Sequence, residues 1–158
     1  MKMKPYAAFG YVLIENTYAD GEQWKSVIND DIQVTTFWVN GLFKNKHLSL
    51  GSEDFQDLES GRLLRPADYI QGVFEHTAVG ECKVFCFDPR INGNRDVELL
   101  PFILKSGEQT VLSKNTKLFF CFGSMSANGK NITQPSQVSV QSNEISVIAQ
   151  SDCYGLLF

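Results

Sequence analysis

Short apolar runs alternate with polar turn residues along the second half of the chain, which predicts a series of short β-strands. Residues 117–123 are apolar at nearly every position and therefore predict a central strand that is covered on both faces. Asn128 and Gly129, between two strand-like runs, predict a tight hairpin. Turn signals recur about every 8–12 residues, a spacing typical of an all-β sandwich or barrel. Further strands are expected at residues 97–104, where Pro101 indicates an edge or a bulge, and at 110–112, 138–140, 144–149 and 153–158.

The first half has a less regular pattern. Residues 34–39 predict a strand that ends in a hairpin turn at Asn40 and Gly41, with Leu42 and Phe43 starting the return strand. Residues 23–28 predict one helical turn or a loop, and residues 52–58 predict a short helix capped by Ser52. Brief strands are expected at residues 48–50, 69–74 and 83–87, with a long turn or loop at 88–94.

The length of 158 residues fits one domain, because two would each have a marginal core. We therefore expect a single all-β domain over residues 1–158. Residues 1–70 would supply N-terminal strands or an arm, and residues 70–158 would form the jelly-roll-like core. No low-complexity linker or change in composition marks a boundary.

Charge and apolar content limit the partners. The net charge of −4 and the pI near 5.1, with no basic cluster, predict no binding to nucleic acid or to an anionic membrane. No apolar stretch approaches the roughly 18 residues of a membrane span, and residues 1–16 lack the pattern of a signal peptide. We expect a protein that is made in the cytoplasm and not secreted. Its four cysteines, all in apolar strand-like segments, are then expected to be buried free thiols.

The stretch from residue 102 to 158 resembles the cupin family of small jelly-roll β-sandwiches. The features that carry the resemblance are the turn at residues 106–108, the apolar strand at 115–123, the Asn128–Gly129 hairpin and the run at 145–149. The resemblance implies an all-β, cupin-like jelly-roll sandwich or barrel with a less regular N-terminal part. Metal-binding cupins place His-x-His and a Glu on one strand and another His later. This chain has only His47 and His76, so the resemblance extends to the fold without the metal site.

The spacing of the reactive residues limits the chemistry that the chain can carry. Cys82 and Cys86 lie four apart on a strand-like run, which separates them by about 13 Å at a rise of ~3.3 Å per residue, too far for a shared zinc. A Cys–His pair could form if His76 met Cys121 or Cys153 in space. The adjacent carboxylates at 30–31 and 53–54 are more simply explained as solvated charges. We therefore predict no catalytic residues, no metal and no cofactor.

Three aromatic residues of the first half suggest an interface. Phe37 and Trp38 are consecutive, so on a strand they face opposite sides of the sheet. The one that faces away from the core is either covered by another part of its own domain or contacts a partner. Trp24 belongs to the same aromatic group. Because aromatic residues are enriched in interface cores, Trp24, Phe37 and Trp38 are the candidate interface residues.

Three functions remain open. The first is a non-enzymatic structural or interaction protein, such as a component of a viral (phage) particle or another repetitive assembly, with protein partners, self-association and a virion location. The second is a metal-free cupin-like module that binds a small ligand such as a sugar or a nucleotide. The third is an enzyme that uses a Cys–His or a carboxylate pair. The sequence favours them in that order.

Overall fold

The computed structural model describes residues 1–48 and 56–158, which fold almost entirely into β-strands. The all-β prediction is confirmed. No helix in these ranges has the length and apolar character needed to cross a membrane. Single 3-10 turns lie at Pro66–Asp68 and Pro89–Ile91. The strands are β1 (Lys2–Ala8), β2 (Tyr11–Tyr18), β3 (Gln23–Ile28), β4 (Thr35–His47), β5 (Leu58–Glu59), β6 (Leu63–Leu64), β7 (Gly72–Phe87), β8 (Leu100–Leu104), β9 (Gln109–Leu112), β10 (Lys117–Phe122), β11 (Met125–Ala127), β12 (Lys130–Ile132), β13 (Ser136–Ser139), β14 (Ile145–Ala149) and β15 (Cys153–Leu157).

The chain groups into two compact units. The first consists of Met1–Ala7 and Tyr11–Arg95, and the second of Ala8–Gly10 and Asp96–Phe158. The internal division expected at residue 70 does not coincide with this grouping, because β7 begins at Gly72 and pairs with β2, β3 and β4 of the first unit. That the chain acts as a single domain stays a prediction.

The first unit is built around two long central strands. β7 pairs along one side with β4, and along its other side with β3 and then β2. β1 continues the sheet beyond β2, while β5 and β6 pair with β4. The two strands expected at 69–74 and 83–87 are thus the ends of one strand, β7.

The hairpin expected at Asn40 and Gly41 is wrong, since β4 runs on through both residues. The register with β7 shifts there, which is the mark of a β-bulge. Gly41 has φ +80°, and a Cβ at this position would lie 2.6 Å from the carbonyl oxygen of Glu81. The Asn40 side chain donates to the same oxygen at 2.9 Å. The Asn-Gly pair therefore allows β4 and β7 to approach each other closely at a bulge. The same dipeptide also occurs in hairpin turns, so the sequence pattern does not distinguish the two structures.

The helical turn or loop expected at residues 23–28 is also wrong, because these residues form β3. Exposed Gln23, Lys25 and Val27 alternate with partly buried Trp24 and Ser26. Pairing with β7 supplies the strand partner, a tertiary effect that outweighs local preference. Of the helix expected at 52–58 and the strand at 48–50, residues 49–55 lie outside the described ranges. Leu58 belongs to β5.

The second unit follows the sequence prediction more closely. Its sheets have the orders β13-β10-β15-β8 and β12-β11-β14-β9. Asn128 and Gly129, at φ +47° and +80°, form the expected hairpin between β11 and β12. The strand expected from residue 97 begins only at Leu100. Side chains from both sheets share one apolar core, as in a β-sandwich: Leu104, Leu112, Leu118, Phe120, Met125, Val140, Val147, Ala149 and Cys153.

Candidate functional site

A cavity of about 300 Å³ lies in the first unit, lined by residues of β2, β3, β4 and β7 and of the segments that flank them. This volume is at the lower end of the range of small-molecule sites. Period-two alternation places one set of β3 side chains, including Trp24 and Ser26, on the cavity wall. The register brings Trp24 and Asn45 opposite His76 from the two neighbouring strands. The cavity wall is therefore assembled across three strands.

A chain of hydrogen bonds crosses these three strands at Ser26, His76 and Asn45. The Ser26 Oγ lies 2.6 Å from His76 Nε2, and His76 Nδ1 lies 2.6 Å from Asn45 Oδ1. The Asn45 amide donates from Nδ2 to the backbone oxygen of Gln56 at 2.8 Å, which leaves Oδ1 turned towards the imidazole. An amide oxygen only accepts, so Nδ1 carries the hydrogen.

The protonation state of His76 follows from its surroundings. Burial lowers the pKa of this imidazole from its ordinary value, which favours the neutral ring. With Nδ1 protonated, neutral His76 presents a lone pair at Nε2, which accepts the hydrogen bond from the Ser26 hydroxyl. The indole of Trp24, 5.0 Å from the imidazole by ring centroids, covers it on one side. The arrangement holds one defined tautomer of a neutral base.

Aromatic rings form a second part of the cavity wall. Tyr18 and Trp24 stack at 4.0 Å between centroids and 12° between planes. Phe43 meets both of them edge-on and also contacts Trp38 at 4.3 Å. This network fixes the position of the indole of Trp24 before any ligand binds. The cavity therefore has a rigid, apolar side.

Two phenols and a thiol on the wall, those of Tyr18, Tyr69 and Cys86, are held in their neutral forms. Burial raises the pKa of the Tyr18 phenol to about 12, and burial followed by the charge of Asp88 raises that of the Cys86 thiol to about 12. Burial also raises the pKa of Tyr69, although its hydroxyl bonds Thr36 Oγ1 at 2.6 Å. Ionisation of these groups would place a charge in a poorly solvated space.

The charges around the cavity are few. Among the described residues that line it, none is Lys or Arg, and Asp68 is the one acidic residue. Asp68 is exposed and accepts a hydrogen bond from the backbone nitrogen of Arg65 at 2.8 Å. Two lining residues, Asn16 and Trp38, each carry a buried polar atom with no hydrogen-bond partner in the described structure, the Oδ1 and the Nε1. Such atoms are uncommon in folded proteins, and they add hydrogen-bonding capacity beside this wall.

The structure brings some of the residues singled out from the sequence to this site. His76, Cys86, Trp24 and Trp38 line the cavity. Trp38 and Phe37 are 9% and 1% exposed, and Trp24 is partly buried. The assignment of Trp24, Phe37 and Trp38 to an interface stays a prediction.

The Cys–His contact considered from the sequence is not formed by His76 in the described structure, since its two nitrogens bond Asn45 and Ser26. His47 is buried on β4, with Nε2 3.2 Å from the backbone oxygen of Gln71. All four cysteines are free, three of them buried and Cys86 partly so. Within residues 1–48 and 56–158, no three His, Cys, Asp or Glu side chains are grouped to hold a metal ion.

Sequence reasoning missed Ser26 and Asn45. Ser26 fell in the segment expected to be a helical turn or loop. The burial of residues 23–28 alternates in the structure, but polar Lys25 and Ser26 are adjacent in the sequence, as are apolar Val27 and Ile28, so no alternation of side-chain polarity marked the strand. Asn45 lies in the return strand of a hairpin that does not exist. No local signal relates it to His76, because their pairing joins positions 31 residues apart.

Comparison with known proteins gives a loose likeness in fold. No protein-family model matches the sequence, and no curated protein does. Among solved structures, the chain is similar to the protein YhaK from Escherichia coli at 11% identity and a TM-score of 0.47, covering 99% of this chain and 92% of that one. A conserved protein of unknown function from Pseudomonas aeruginosa PAO1 has 13% identity and a TM-score of 0.49, covering 98% and 86%. A cupin 2 conserved barrel domain protein from Leptotrichia buccalis has 9% identity and a TM-score of 0.44, covering 99% and 86%.

The described residues form an all-β fold, as the sequence indicated. Within residues 1–48 and 56–158, none of the three sheets closes on itself.

Proposed function

We propose that this protein is a binding module for a small, neutral, partly aromatic ligand, held in the cavity of the first unit. The observation that carries the proposal is the cavity itself, which has a volume of about 300 Å³. Its wall consists of fixed aromatic rings together with an imidazole, a phenol and a thiol that are kept in their neutral forms. Of the functions considered from the sequence, this is the metal-free ligand-binding module, and the geometry moves it to first place.

The charges narrow the ligand class. A nucleotide or another phosphorylated ligand needs cations or a cluster of backbone N–H groups. No described residue of the wall is a Lys or an Arg, and the exposed Asp68 would repel an anion. A neutral ligand avoids both the unpaired charge and its desolvation. The ligand would lie with an apolar face against Trp38 and a hydroxyl or amine near Ser26, whose oxygen has a lone pair to accept.

A component of a larger assembly, the first expectation from the sequence, stays a prediction, as do self-association and a non-enzymatic role. The contacts of the described residues supply no specific support for an assembly surface. The cavity does supply a specific reason for a ligand, so it decides the order of the proposals.

Binding of the neutral dye N-phenyl-1-naphthylamine tests the proposal. We expect a rise in dye fluorescence with a Kd on the order of micromolar and quenching of tryptophan emission, because Trp24 and Trp38 line the cavity. Val34→Phe should fill part of the space and weaken binding about tenfold or more. The matched control is Val111→Phe on β9, where the valine is 53% exposed in the second unit. Equal affinity for both variants, or no binding by the unaltered protein, would refute the proposal.

A further inference from the structure

We propose that Ser26 is a nucleophile that accepts an acyl group from small neutral aryl esters, with His76 as its base and Asn45 as the residue that positions the base. The inference rests on the proposed function, because the ester would enter the same cavity. Three observed contacts carry it: Ser26 Oγ to His76 Nε2, His76 Nδ1 to Asn45 Oδ1, and Asn45 Nδ2 to the backbone oxygen of Gln56.

The geometry satisfies the requirements for an activated hydroxyl. A serine needs a base within about 2.6–3.2 Å of its oxygen and a third group that orients the base. Here the first contact is 2.6 Å, and Asn45 fixes the tautomer that leaves Nε2 free to take a proton. Ser26 also lines the cavity, so a bound molecule can reach its oxygen. Burial favours the neutral ring at neutral pH, which keeps the base in its active form.

The reaction balances without any further cofactor. The Ser26 oxygen forms a bond to the acyl carbon while its proton passes to His76 Nε2. The ester C–O bond then breaks, and the aryloxide leaves with the electron pair and takes up a proton from His76. In the second half, a water molecule loses a proton to His76 Nε2 and its oxygen attacks the acyl carbon. The bond between the Ser26 oxygen and the acyl carbon then breaks, and the electron pair goes to that oxygen, which takes back the proton from His76 Nε2. The carboxylic acid leaves, and the Ser26 hydroxyl and the neutral imidazole are restored.

The substrate class follows from the wall. Because Asn45 is neutral, it orients the imidazolium of the transition state but stabilises its charge less than a carboxylate would. Esters with good leaving groups are therefore favoured, since their C–O bond breaks early. The aromatic side chains and the lack of lysine or arginine among the described wall residues favour a neutral aryl group over a charged one.

Acylation by p-nitrophenyl acetate tests the inference directly. We expect one acetyl group on the peptide that contains Ser26, found by mass spectrometry after digestion, and a burst of p-nitrophenolate. Ser26→Ala should abolish both. The matched control, Ser139→Ala at an exposed serine of β13, should leave both unchanged. Dye binding without acetylation of Ser26 overturns this inference and leaves the proposed function standing. Loss of both signals in the unaltered protein overturns the two together.

The roles of His76 and Asn45 are separated by rate and by pH. His76→Gln should slow acylation about 100-fold or more, the usual worth of a general base. In the unaltered protein the rate should rise with pH and level off once His76 is neutral, with a midpoint below the ordinary histidine value of about 6.5.

Asn45→Asp keeps an acceptor for Nδ1–H and adds a negative charge, so this midpoint should move to higher pH. A merely structural role for Asn45 would lower the rate without moving the midpoint, and an unmoved midpoint refutes its positioning role. The pH midpoint of Asn45→Asp tests the role of Asn45 independently of whether His76→Gln folds. Folding of each variant is measured by its urea midpoint.

Discussion

In the second unit, side chains from two sheets meet in a core cluster of apolar residues, whereas the sheet of the first unit also encloses polar groups and a cavity. The core cluster of the second unit combines leucine, valine, alanine and phenylalanine side chains with Met125 and Cys153, and each of these residues is at most 6% exposed. In the first unit, Asn45 and His47 are buried at 6% and 2% exposure, and His76 bridges two strands beside open space. One unit uses its interior for packing, and the other uses part of its interior for hydrogen bonds.

This difference shows where the fold can carry chemistry. A filled core contributes stability through contacts on every side, so a void there is costly. A cavity gives up some of these contacts, and polar groups at its wall need partners of their own. The hydrogen bonds that link Ser26, His76 and Asn45 supply such partners and keep the wall ordered. Stability should therefore respond differently in the two units to the same substitution.

The sharpest test of the comparison truncates one phenylalanine in each unit. Phe120 is fully buried in the second core, and Phe74 is 4% exposed but lines the cavity. Phe120→Ala should lower the free energy of unfolding by about 3–5 kcal/mol, and Phe74→Ala by clearly less, because its ring already borders empty space. Urea unfolding measures both. An equal or larger cost for Phe74→Ala would show that the cavity wall is packed as tightly as the filled core.

The close packing at the β4 bulge can be tested by comparing two glycines that have similar φ angles but differ in the space around a Cβ atom. Gly41 and Gly21 have φ +80° and +79°, so alanine is strained by about 1–2 kcal/mol at either position. A Cβ at Gly41 would lie 2.5 Å from Cys82 Sγ, whereas nothing is within 4 Å of one at Gly21. Gly41→Ala should therefore cost about 1–3 kcal/mol more than Gly21→Ala in thermal or urea unfolding. If the two costs are the same, the close approach of β4 and β7 does not limit this position.

The two units also differ in how much of their structure can be predicted from the sequence. The second unit is made of short strands joined by short turns, and its Asn128–Gly129 hairpin depends on two adjacent residues that tolerate positive φ. Local rules are sufficient there. In the first unit, Asn40 and Gly41 give the same dipeptide signal but form a bulge, because they meet the partner strand β7, where Asn40 pairs with Lys83, 43 residues further along the sequence. Nothing local distinguishes the two cases.

The candidate site was harder to predict than the fold. His76, Cys86 and Trp24 could be named as residue types with reactive or binding potential, but their partners depend on the register of three strands. Ser26 and Asn45 are ordinary polar residues in the sequence. Their role comes from lying beside and opposite one imidazole, which is a property of the paired sheet.

Alkaline pH should weaken the folded state through the cavity wall. The pKa of Cys86 is about 12 when folded and near 9 when exposed, so this thiol supports folding fully below pH 9 and loses that support as pH rises towards 12. At about pH 10.5 the loss is on the order of 2 kcal/mol relative to pH 8. Cys86→Ser removes the ionisable thiol, so its urea midpoint should fall less over this interval. Tyr18 has a similarly raised pKa and should leave a residual fall. An identical fall in the variant and the unaltered protein contradicts the assignment to Cys86.

The smallest effect is expected at the hairpin of the second unit. Asn128 has φ +47°, and its Oδ1 accepts a hydrogen bond from the backbone nitrogen of Ser146 at 3.1 Å. Asn128→Ala loses this bond and a side chain that tolerates positive φ. We expect it to lower the free energy of unfolding by about 1 kcal/mol. Asn128→Gly restores the backbone freedom but not the bond, so it should cost less than alanine. Dye affinity should be the same in both variants, since Asn128 is not among the residues that line the cavity. A weakened dye affinity would mean that the two interiors are coupled, and the contrast between a packing unit and a binding unit would then no longer hold.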